Sequence, residues 1–331
     1  MIRTTRSICL ATAIGALGFA TTLALDTVAA QAQDYPSQPI NLIVPWPAGG
    51  GQDVVGRLVA EHLDRQLPVS VVVSNIPGAA GANGVRAIEE AAADGYTIGT
   101  MGLHVIAQSY INPNATDLSN IGPLVLVNTN PAAISVRTDT GIETLEELVE
   151  FAKANPGAMI NGNDSPGGFS FLTVELMEEM LGIELTKVPY QGYAPTVSAL
   201  VSGEIMSATL PVPVVADLHA AGEIRILAVA SEERNFAAPD VPTFAELGYD
   251  FVFADNVMIF GPIGMPDDAK SVVEEALLAA MATDAFITGG TNAGLTLMPL
   301  GAADADALFR SMDDDVYPVL LDAGLVQVRQ R

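Results

Sequence analysis

A glycine-rich turn holds the residues of this sequence best suited to chemistry. The segment INLIVPWPAGGGQDVVGRLVAEHL (residues 40–63) has a short apolar run, three glycines at 49–51, and then apolar residues at helical spacing. Glycine lets a ligand approach the backbone, and a helix start offers unpaired N–H groups with a partial positive charge. The turn is therefore predicted to bind an anion. A tight connection between strand and helix with no ligand is the alternative.

The predicted anion is not a phosphate. The turn lacks G-x-x-x-x-G-K-[ST], and its glycines at 49–51 and 56 do not form G-x-G-x-x-G. Small-residue turns recur after three later strand-like runs, at residues 77–84, 162–168 and 191–195. Strand exits of open parallel sheets line the crevice where ligands bind. Backbone N–H groups, helix dipoles and water can hold a small carboxylate there, with few Lys or Arg nearby.

Side chains suited to catalysis or metal binding are sparse. There is no G-x-S-x-G elbow and no H-E-x-x-H, and the only cysteine is Cys9. Of the three histidines, we expect His62 to pack on its helix and His219 to be solvated. Only His104 is expected near the strand exits, in a structural hydrogen bond rather than in proton transfer. We expect no metal and no cofactor, and a secreted α/β hydrolase is the rival class.

The first 32 residues are predicted to be a secretory signal peptide. They contain Arg3 and Arg6, then an apolar run, and end in the small residues Ala30-Gln31-Ala32. A membrane anchor is the alternative, because the run at 8–25 is about long enough to span a bilayer. We expect export, and a mature chain without any thiol because Cys9 lies in the signal.

The charge balance argues against a nucleic-acid partner. The chain has 14 Lys and Arg against 39 Asp and Glu, with a formal net charge of −25. Phosphate backbones are bound by clustered basic side chains. The acidic residues fall in helical segments such as EELVEF, ELMEEM and SMDDDVY, which is typical of solvated helix faces. An acidic docking patch is the alternative.

Strand-like and helix-like runs alternate along the chain, which predicts an α/β fold with largely parallel sheets. A βαβαβ pattern spans about residues 40–102, and the glycine-turn pattern restarts after Arg137. We predict a discontinuous first lobe, residues 35–130 plus 255–331, and a second lobe, residues 131–254. Two lobes joined by two crossing segments would leave a ligand cleft between them.

The chain resembles the extracytoplasmic solute receptors of the tripartite tricarboxylate transporter family, also called TctC or Bug receptors. The segments that carry the resemblance occur in the family's order and spacing over essentially the whole mature chain: YPSQPINLIVPWPAGGGQDVVGRLVAEHL, NIPGAAGANG, ADGYTIGT, VPYQGYAPTVSALVSGEI, ILAVASEERNFAAPDVPTFAELGY and GPIGMP. The resemblance implies a periplasmic-binding-protein (Venus-flytrap) fold. It also implies a periplasmic, non-enzymatic receptor that closes on a small mono- or dicarboxylate and delivers it to membrane permease subunits.

The resemblance also implies which residues bind the ligand. In the first turn, the backbone at Pro47, Ala48, Gly49 and Gly50 would take one carboxylate, and Gln52 could add a side-chain amide. Asp53 is expected to be a helix-start acceptor rather than a ligand contact. The other expected contacts are Leu103 and His104 after the third strand, Asn163 and Ser165 in NDSPGG, Gln191, Gly192 and Tyr193 in YQGY, and Asn256. For Tyr193, a packing role is an equal alternative.

Some residues depart from the family's commoner pattern. Leu103 and Gln52 stand where Thr is common, Phe171 where His is frequent, and Asn256 where Trp is frequent. These changes alter the polarity of the expected cleft wall, so the sequence does not identify the carboxylate. We expect a monomer. A receptor that reports to a sensor protein, instead of or beside a transporter, is an open alternative.

Overall fold

The computed structural model describes residues 35–329, and the predicted signal peptide at 1–32 lies outside them. The described residues belong to one compact unit. In the described part the predicted α/β alternation is confirmed. The strands are β1 (Ile40–Val44), β2 (Val71–Asn75), β3 (Thr97–Gly102), β4 (Ile121–Arg137), β5 (Ile160–Asp164), β6 (Thr186–Tyr190), β7 (Ser207–Pro211), β8 (Ile224–Val229), β9 (Ala254–Pro262) and β10 (Leu297–Gly301). The helices are α1 (Gly51–Leu63), α2 (Ala82–Glu89), α3 (Leu103–Ile111), α4 (Leu145–Ala154), α5 (Phe169–Leu181), α6 (Tyr193–Ser202), α7 (Val212–Ala220), α8 (Asp267–Met281), α9 (Asp284–Asn292) and α10 (Ala302–Asp322).

Two groups of parallel strands lie at the ends of a mixed sheet with the order β2-β1-β3-β9-β4-β7-β5-β6. In the first group, β1 pairs in parallel with β2 and β3, with Leu42 opposite Val73 and Ile98. In the second group, β5 pairs in parallel with β6 and β7. The carboxyl ends of parallel strands meet at one edge of a sheet, so each group brings its glycine-containing turns together.

The long strand β4 connects the two groups. Its first half pairs antiparallel with β9 and β10, while its second half, from Ala132, pairs antiparallel with β7 and β8. The sheets are thus mixed rather than mostly parallel at their junction, because β4 and β9 pass in opposite directions between the groups. This change of partners at Pro131 and Ala132 supports our proposed division into residues 35–130 plus 255–331 and residues 131–254.

The helices cover the sheets with apolar stripes. On α1, Val55, Val59 and Leu63 are at most 1% exposed and pack into the core beneath β1. His62 is also buried on this helix, as predicted, with its ring edge against Phe286. His219 is not simply solvated, because its Nδ1 accepts from the N–H of Ile226 at 3.2 Å. No helix within residues 35–329 is both long and apolar enough to cross a membrane.

Candidate ligand-binding site

The first turn connects β1 to α1 and presents free backbone donors. The first helical hydrogen bond runs from the N–H of Val54 to the carbonyl oxygen of Gly50, at 3.0 Å. Because a helical N–H pairs with the carbonyl four residues earlier, the N–H groups of Gly51, Gln52 and Asp53 have no helical partner. They carry the positive end of the helix dipole, which favours an anion.

The Asp53 side chain stabilises this turn through hydrogen bonds. Its carboxylate accepts from the N–H of Gly49 at 2.8 Å, from Arg57 Nε at 2.9 Å and from Asn75 Nδ2 at 2.9 Å. Burial would raise the pKa of Asp53, but the hydrogen bonds from Arg57, Gly49 and Asn75 lower it to about 2. Asp53 thus serves as the expected local acceptor. It also occupies the N–H of Gly49, which leaves carboxylate capture to the neighbouring donors.

Removing the Asp53 carboxylate is expected to destabilise the protein. The Asp53→Ala variant loses three hydrogen bonds made by a buried charged group, so we expect a loss of about 2–3 kcal/mol in the free energy of unfolding. Urea denaturation at pH 7 measures it. Glu61→Ala is the matched control, because Glu61 forms an exposed pair with Arg65 four residues later on the same helix, and such pairs contribute little. Equal losses in both variants would contradict the role assigned to Asp53.

His104 lies in a network behind the first turn. Its Nε2 accepts from Trp46 Nε1 at 3.1 Å, so the proton of the neutral ring must be on Nδ1. The Gln52 side-chain amide lies 3.4 Å from Nδ1 and 3.3 Å from Thr100 Oγ1. In the structure the amide oxygen accepts from Thr100 and the amide nitrogen faces His104. With the His104 proton on Nδ1, donors and acceptors match when the amide is turned over, with its oxygen toward His104. Burial lowers the pKa of His104 to about 4, which keeps the ring neutral at pH 7.

This network makes Gln52 a positioning side chain. Each end of its amide makes one contact, with His104 and with Thr100, which fixes the orientation of the side chain. Its backbone N–H remains for a ligand. His104 likewise has both ring nitrogens engaged, in keeping with the structural hydrogen bond expected for it.

A second turn, residues 77–81, holds backbone strain that the sequence did not predict. Ala79 and Ala80 have φ values of 49° and 54°, in the left-handed region that side chains other than glycine rarely adopt. The Nδ2 of Asn112 donates to the carbonyl oxygen of Ala79 at 2.9 Å and helps to hold this conformation. The turn lies against Trp46, since a Cβ placed on Gly81 would be 3.2 Å from the indole ring. Such strain is concentrated at ligand sites.

The turn after β5 differs from the first because its own acid occupies the helix start. The carboxylate of Asp164 accepts from the N–H of Ser170 at 3.3 Å and of Phe171 at 2.9 Å, in the first turn of α5. Burial raises the pKa of Asp164 to about 6, although these hydrogen bonds lower it. Ser165 accepts from Gln191 Nε2 at 3.2 Å, so the structure brings these two predicted site residues together.

Asn163 is a buried amide without partners. It is 1% exposed, and neither amide atom has a hydrogen-bond partner within the described chain. Asn161, on the same face of β5, is satisfied by Ser207 at 3.1 Å and Thr209 at 3.4 Å. Asn163 lies two residues nearer the carboxyl end of the strand, beside Asp164.

Tyr193 and Asp255 join the two strand groups. The hydroxyl of Tyr193, the first residue of α6, donates to Asp255 Oδ2 at 3.2 Å, and Asp255 lies on β9. Burial and the negative charge of Asp164 raise the pKa of Asp255 to about 7, while the hydrogen bond from Tyr193 lowers it. Burial and the same two acids raise the pKa of Tyr193, so its phenol stays protonated. Neither Asp164 nor Asp255 appears in an ion pair with Lys or Arg in the described residues.

Gly102, at the end of β3, is packed closely between the first turn and β9. A Cβ on Gly102 would lie 2.8 Å from the carbonyl oxygen of Asn256, 3.2 Å from the end of the Gln52 side chain and 3.5 Å from Asp255 Oδ1, so Gln52 and Asp255 both lie close to this residue. Asn256, the next residue, is 7% exposed and directs its Nδ2 toward Met312 Sδ on α10, at 3.5 Å. Sequence reasoning selected Asn256 and did not select Asp255. Because successive residues of a strand face opposite sides of the sheet, the two side chains point in opposite directions.

The remaining predicted residues surround this region or support it. Leu103, the first residue of α3, packs its side chain in the core at 1% exposure, which leaves its backbone to face a ligand. Gly192 is the cap residue of α6, with φ of 99°, and accepts from Thr196 Oγ1 through its carbonyl. Pro47, Ala48, Gly49 and Gly50 are exposed. No His, Cys, Asp and Glu cluster suited to a metal ion occurs within residues 35–329.

Comparisons with known proteins give one consistent family. A family model described as "Tripartite tricarboxylate transporter family receptor" matches residues 55–316. Protein BugT of Bordetella pertussis is 32% identical over 279 residues, which cover 79% of this chain and 83% of BugT. A TctC solute binding protein from Polaromonas has a solved structure with a TM-score of 0.77 and 28% identity, covering 87% of this chain and 99% of that one.

A structure of the Rhodopseudomonas palustris protein Rpa4515 with adipate is also similar. It has a TM-score of 0.75 and 25% identity, and the match covers 88% of this chain and 99% of that one. These structural similarities confirm the predicted two-lobed periplasmic-binding-protein fold.

Proposed function

The chain belongs to the tripartite tricarboxylate transporter receptor family, and we propose that it captures a small organic carboxylate between its two lobes for delivery to the permease of such a transporter. The observation that carries this proposal is the start of α1. There Gly51, Gln52 and Asp53 offer three N–H groups without a helical partner. Backbone donors attract a carboxylate without bringing a basic side chain into the cleft.

The related Rpa4515 supports the ligand class, because it was determined with adipate, a dicarboxylate. In the proposed mechanism one carboxylate binds the α1 donors with bridging water, and the strained turn at Ala79 and Ala80 packs beside it. Asn163, Ser165, Gln191 and Gly192 contact the ligand from the second lobe when the lobes close. The receptor acts as a monomer, and residues 1–32 direct it to the periplasm and are then removed.

Carboxylate binding is expected to need neither metal nor nucleotide. Calorimetry of the purified mature protein against mono- and dicarboxylates, with chelator present, tests this. At a ligand concentration one hundred times the dissociation constant, linkage should stabilise the folded protein by about 2.7 kcal/mol and raise its melting temperature. Binding of sugars, nucleotides or cations alone would overturn the proposal.

Two alternatives to a transport receptor, an enzyme and a signalling receptor, can be distinguished by experiment. A secreted hydrolase is disfavoured because both ring nitrogens of His104 are engaged in structural hydrogen bonds. Chemical recovery of unchanged ligand after long incubation tests this point. A receptor that signals to a sensor protein would share the same closure, and a permease deletion that leaves the cellular response to the ligand intact would favour it.

A further inference from the structure

The charged groups around the proposed cleft are unevenly distributed. At the start of α1, three N–H groups have no helical partner, and the Asp53 carboxylate there is paired with Arg57. The α5 start is already occupied by Asp164, and Asp255 on β9 adds a second carboxylate. A ligand that carries only negative charge would be attracted by the α1 donors and repelled by these two carboxylates.

Asp255 has an oxygen available to a ligand. Its Oδ2 accepts from Tyr193, while its Oδ1 lies close to Gly102, and no hydrogen bond to this atom is shown among the described residues. A carboxylate removed from water is costly unless it is paired with a cation or hydrogen-bonded. Within residues 35–329 no Lys or Arg forms an ion pair with it, so a cationic group of the ligand can take this role.

Asn163 is a further polar group at the carboxyl end of β5. Its amide is buried and has no hydrogen-bond partner among the described residues, which is unfavourable for a polar group. It directly precedes Asp164 on this strand. A ligand group there that donates and accepts hydrogen bonds would satisfy it.

We infer that Asp255 selects a carboxylate ligand that also carries a protonated amino group. The carboxylate binds the N–H groups at the start of α1, and the ammonium donates to Asp255 Oδ1. Tyr193 holds Asp255 in place through Oδ2, and Asp164 adds attraction for the cation. This inference rests on the proposed carboxylate-binding function and makes Asp255 the specificity-determining residue.

Matched ligand pairs test the inference, because each pair differs only by an amino group. We name glutamate with glutarate, aspartate with succinate, and 4-aminobutyrate with butyrate, measured by calorimetry at pH 8. In at least one pair the amino ligand should bind at least tenfold more tightly to the native protein. In Asp255→Asn, which keeps the shape but loses the charge, that preference should fall to threefold or less.

The change of ligand affinity with pH distinguishes two binding modes. In the inferred mode an ionised Asp255 binds the ligand ammonium, and in the other a protonated Asp255 binds an anionic ligand. The groups that face Asp255 are Tyr193 from α6 and Asp164 from β5, and the neutral Gln52 lies toward it from α1. As pH rises from 6 to 8, Asp255 loses its proton while the ligand ammonium keeps its own. Affinity for the amino ligand should therefore rise about tenfold or less, and should not rise in Asp255→Asn.

The control is Asp250→Asn, which removes the same charge from an exposed position five residues earlier. It should leave both the preference and its pH dependence unchanged. Tighter binding of the amine-free ligands, or a preference that survives in Asp255→Asn, would overturn the inference while carboxylate capture still stands. Absence of binding by all six ligands at 10 mM would count against carboxylate capture as well.

Discussion

Gly49→Val is expected to lower carboxylate affinity at least a hundredfold, whereas Gln52→Ala should lower it tenfold or less. Gly49 has φ of 85°, a conformation that a β-branched residue adopts only at a cost of about 1–3 kcal/mol. Relaxation of that strain moves the turn and breaks the hydrogen bond between its N–H and Asp53, which displaces the donors at the start of α1. Calorimetry with the tightest carboxylate found for the native protein gives both affinities.

Gln52 makes a smaller contribution because its amide serves His104 and Thr100 rather than the ligand. Its removal costs about 0.5–1.5 kcal/mol through looser positioning of His104, which corresponds to roughly tenfold or less in affinity. The backbone N–H of residue 52 remains in the alanine variant. Loss of all binding in Gln52→Ala would therefore replace backbone capture by side-chain recognition.

Gly248 offers a matched control for the strain. It has φ of 88°, and a Cβ there, as at Gly49, meets nothing within 4 Å. Gly248→Val should lose similar stability in urea denaturation and keep its affinity, because Gly248 lies in the turn after the Thr243–Glu246 capping pair. Equal loss of affinity in the two glycine variants would mean that stability, rather than the first turn, limits binding.

Local residue patterns predicted the parts of the fold that depend on local physics. The T-x-x-E spacing of Thr243 and Glu246 is the sequence pattern of a capping pair, and the two residues form reciprocal hydrogen bonds of 2.8 and 3.1 Å. The same holds for the cap at Thr144, whose side chain accepts from the N–H of Glu147. Glycine spacing and alternation of apolar runs likewise predicted the turn before α1, because a helix start and a positive φ have recognisable residue preferences.

Features that depend on tertiary contacts were beyond sequence reasoning. Nothing about Ala79 and Ala80 indicates left-handed backbone, since the surrounding chain imposes it. Asp164 and Asp255 are far apart in sequence, and only the pairing of β4 with β9 and β7 places their carboxylates near Tyr193. Whether Asp255 or Asn256 faces the cleft depends on the register of β9, which hydrophobic pattern alone did not fix.

The stability of the ligand-free protein is expected to fall as pH rises from about 4 to 7, in part because of Asp255. The folded-state pKa of Asp255 is about 7, above its ordinary value of 3.8. In this range the folded protein keeps a proton that the unfolded chain has lost, so rising pH favours unfolding. The stabilisation is complete below the unfolded-state pKa and is lost as pH rises through the folded-state pKa. Each such proton contributes a slope of up to about 1.4 kcal/mol per pH unit.

Asp255→Asn should remove this part of the slope, because an amide cannot titrate but can still accept from Tyr193. Urea denaturation at pH 4.5, 5.5, 6.5 and 7.5 measures the free energy of unfolding of the native and variant proteins. The variant should lose less stability with rising pH and become the more stable of the two near pH 7.5.

Asp164, whose pKa is raised to about 6, leaves a residual slope in both. Asp250→Asn should keep the native slope, since Asp250 is exposed. Parallel profiles for Asp255→Asn and the native protein would show that water or a neighbouring donor already compensates the Asp255 charge, which removes the need for a cationic ligand group at that position.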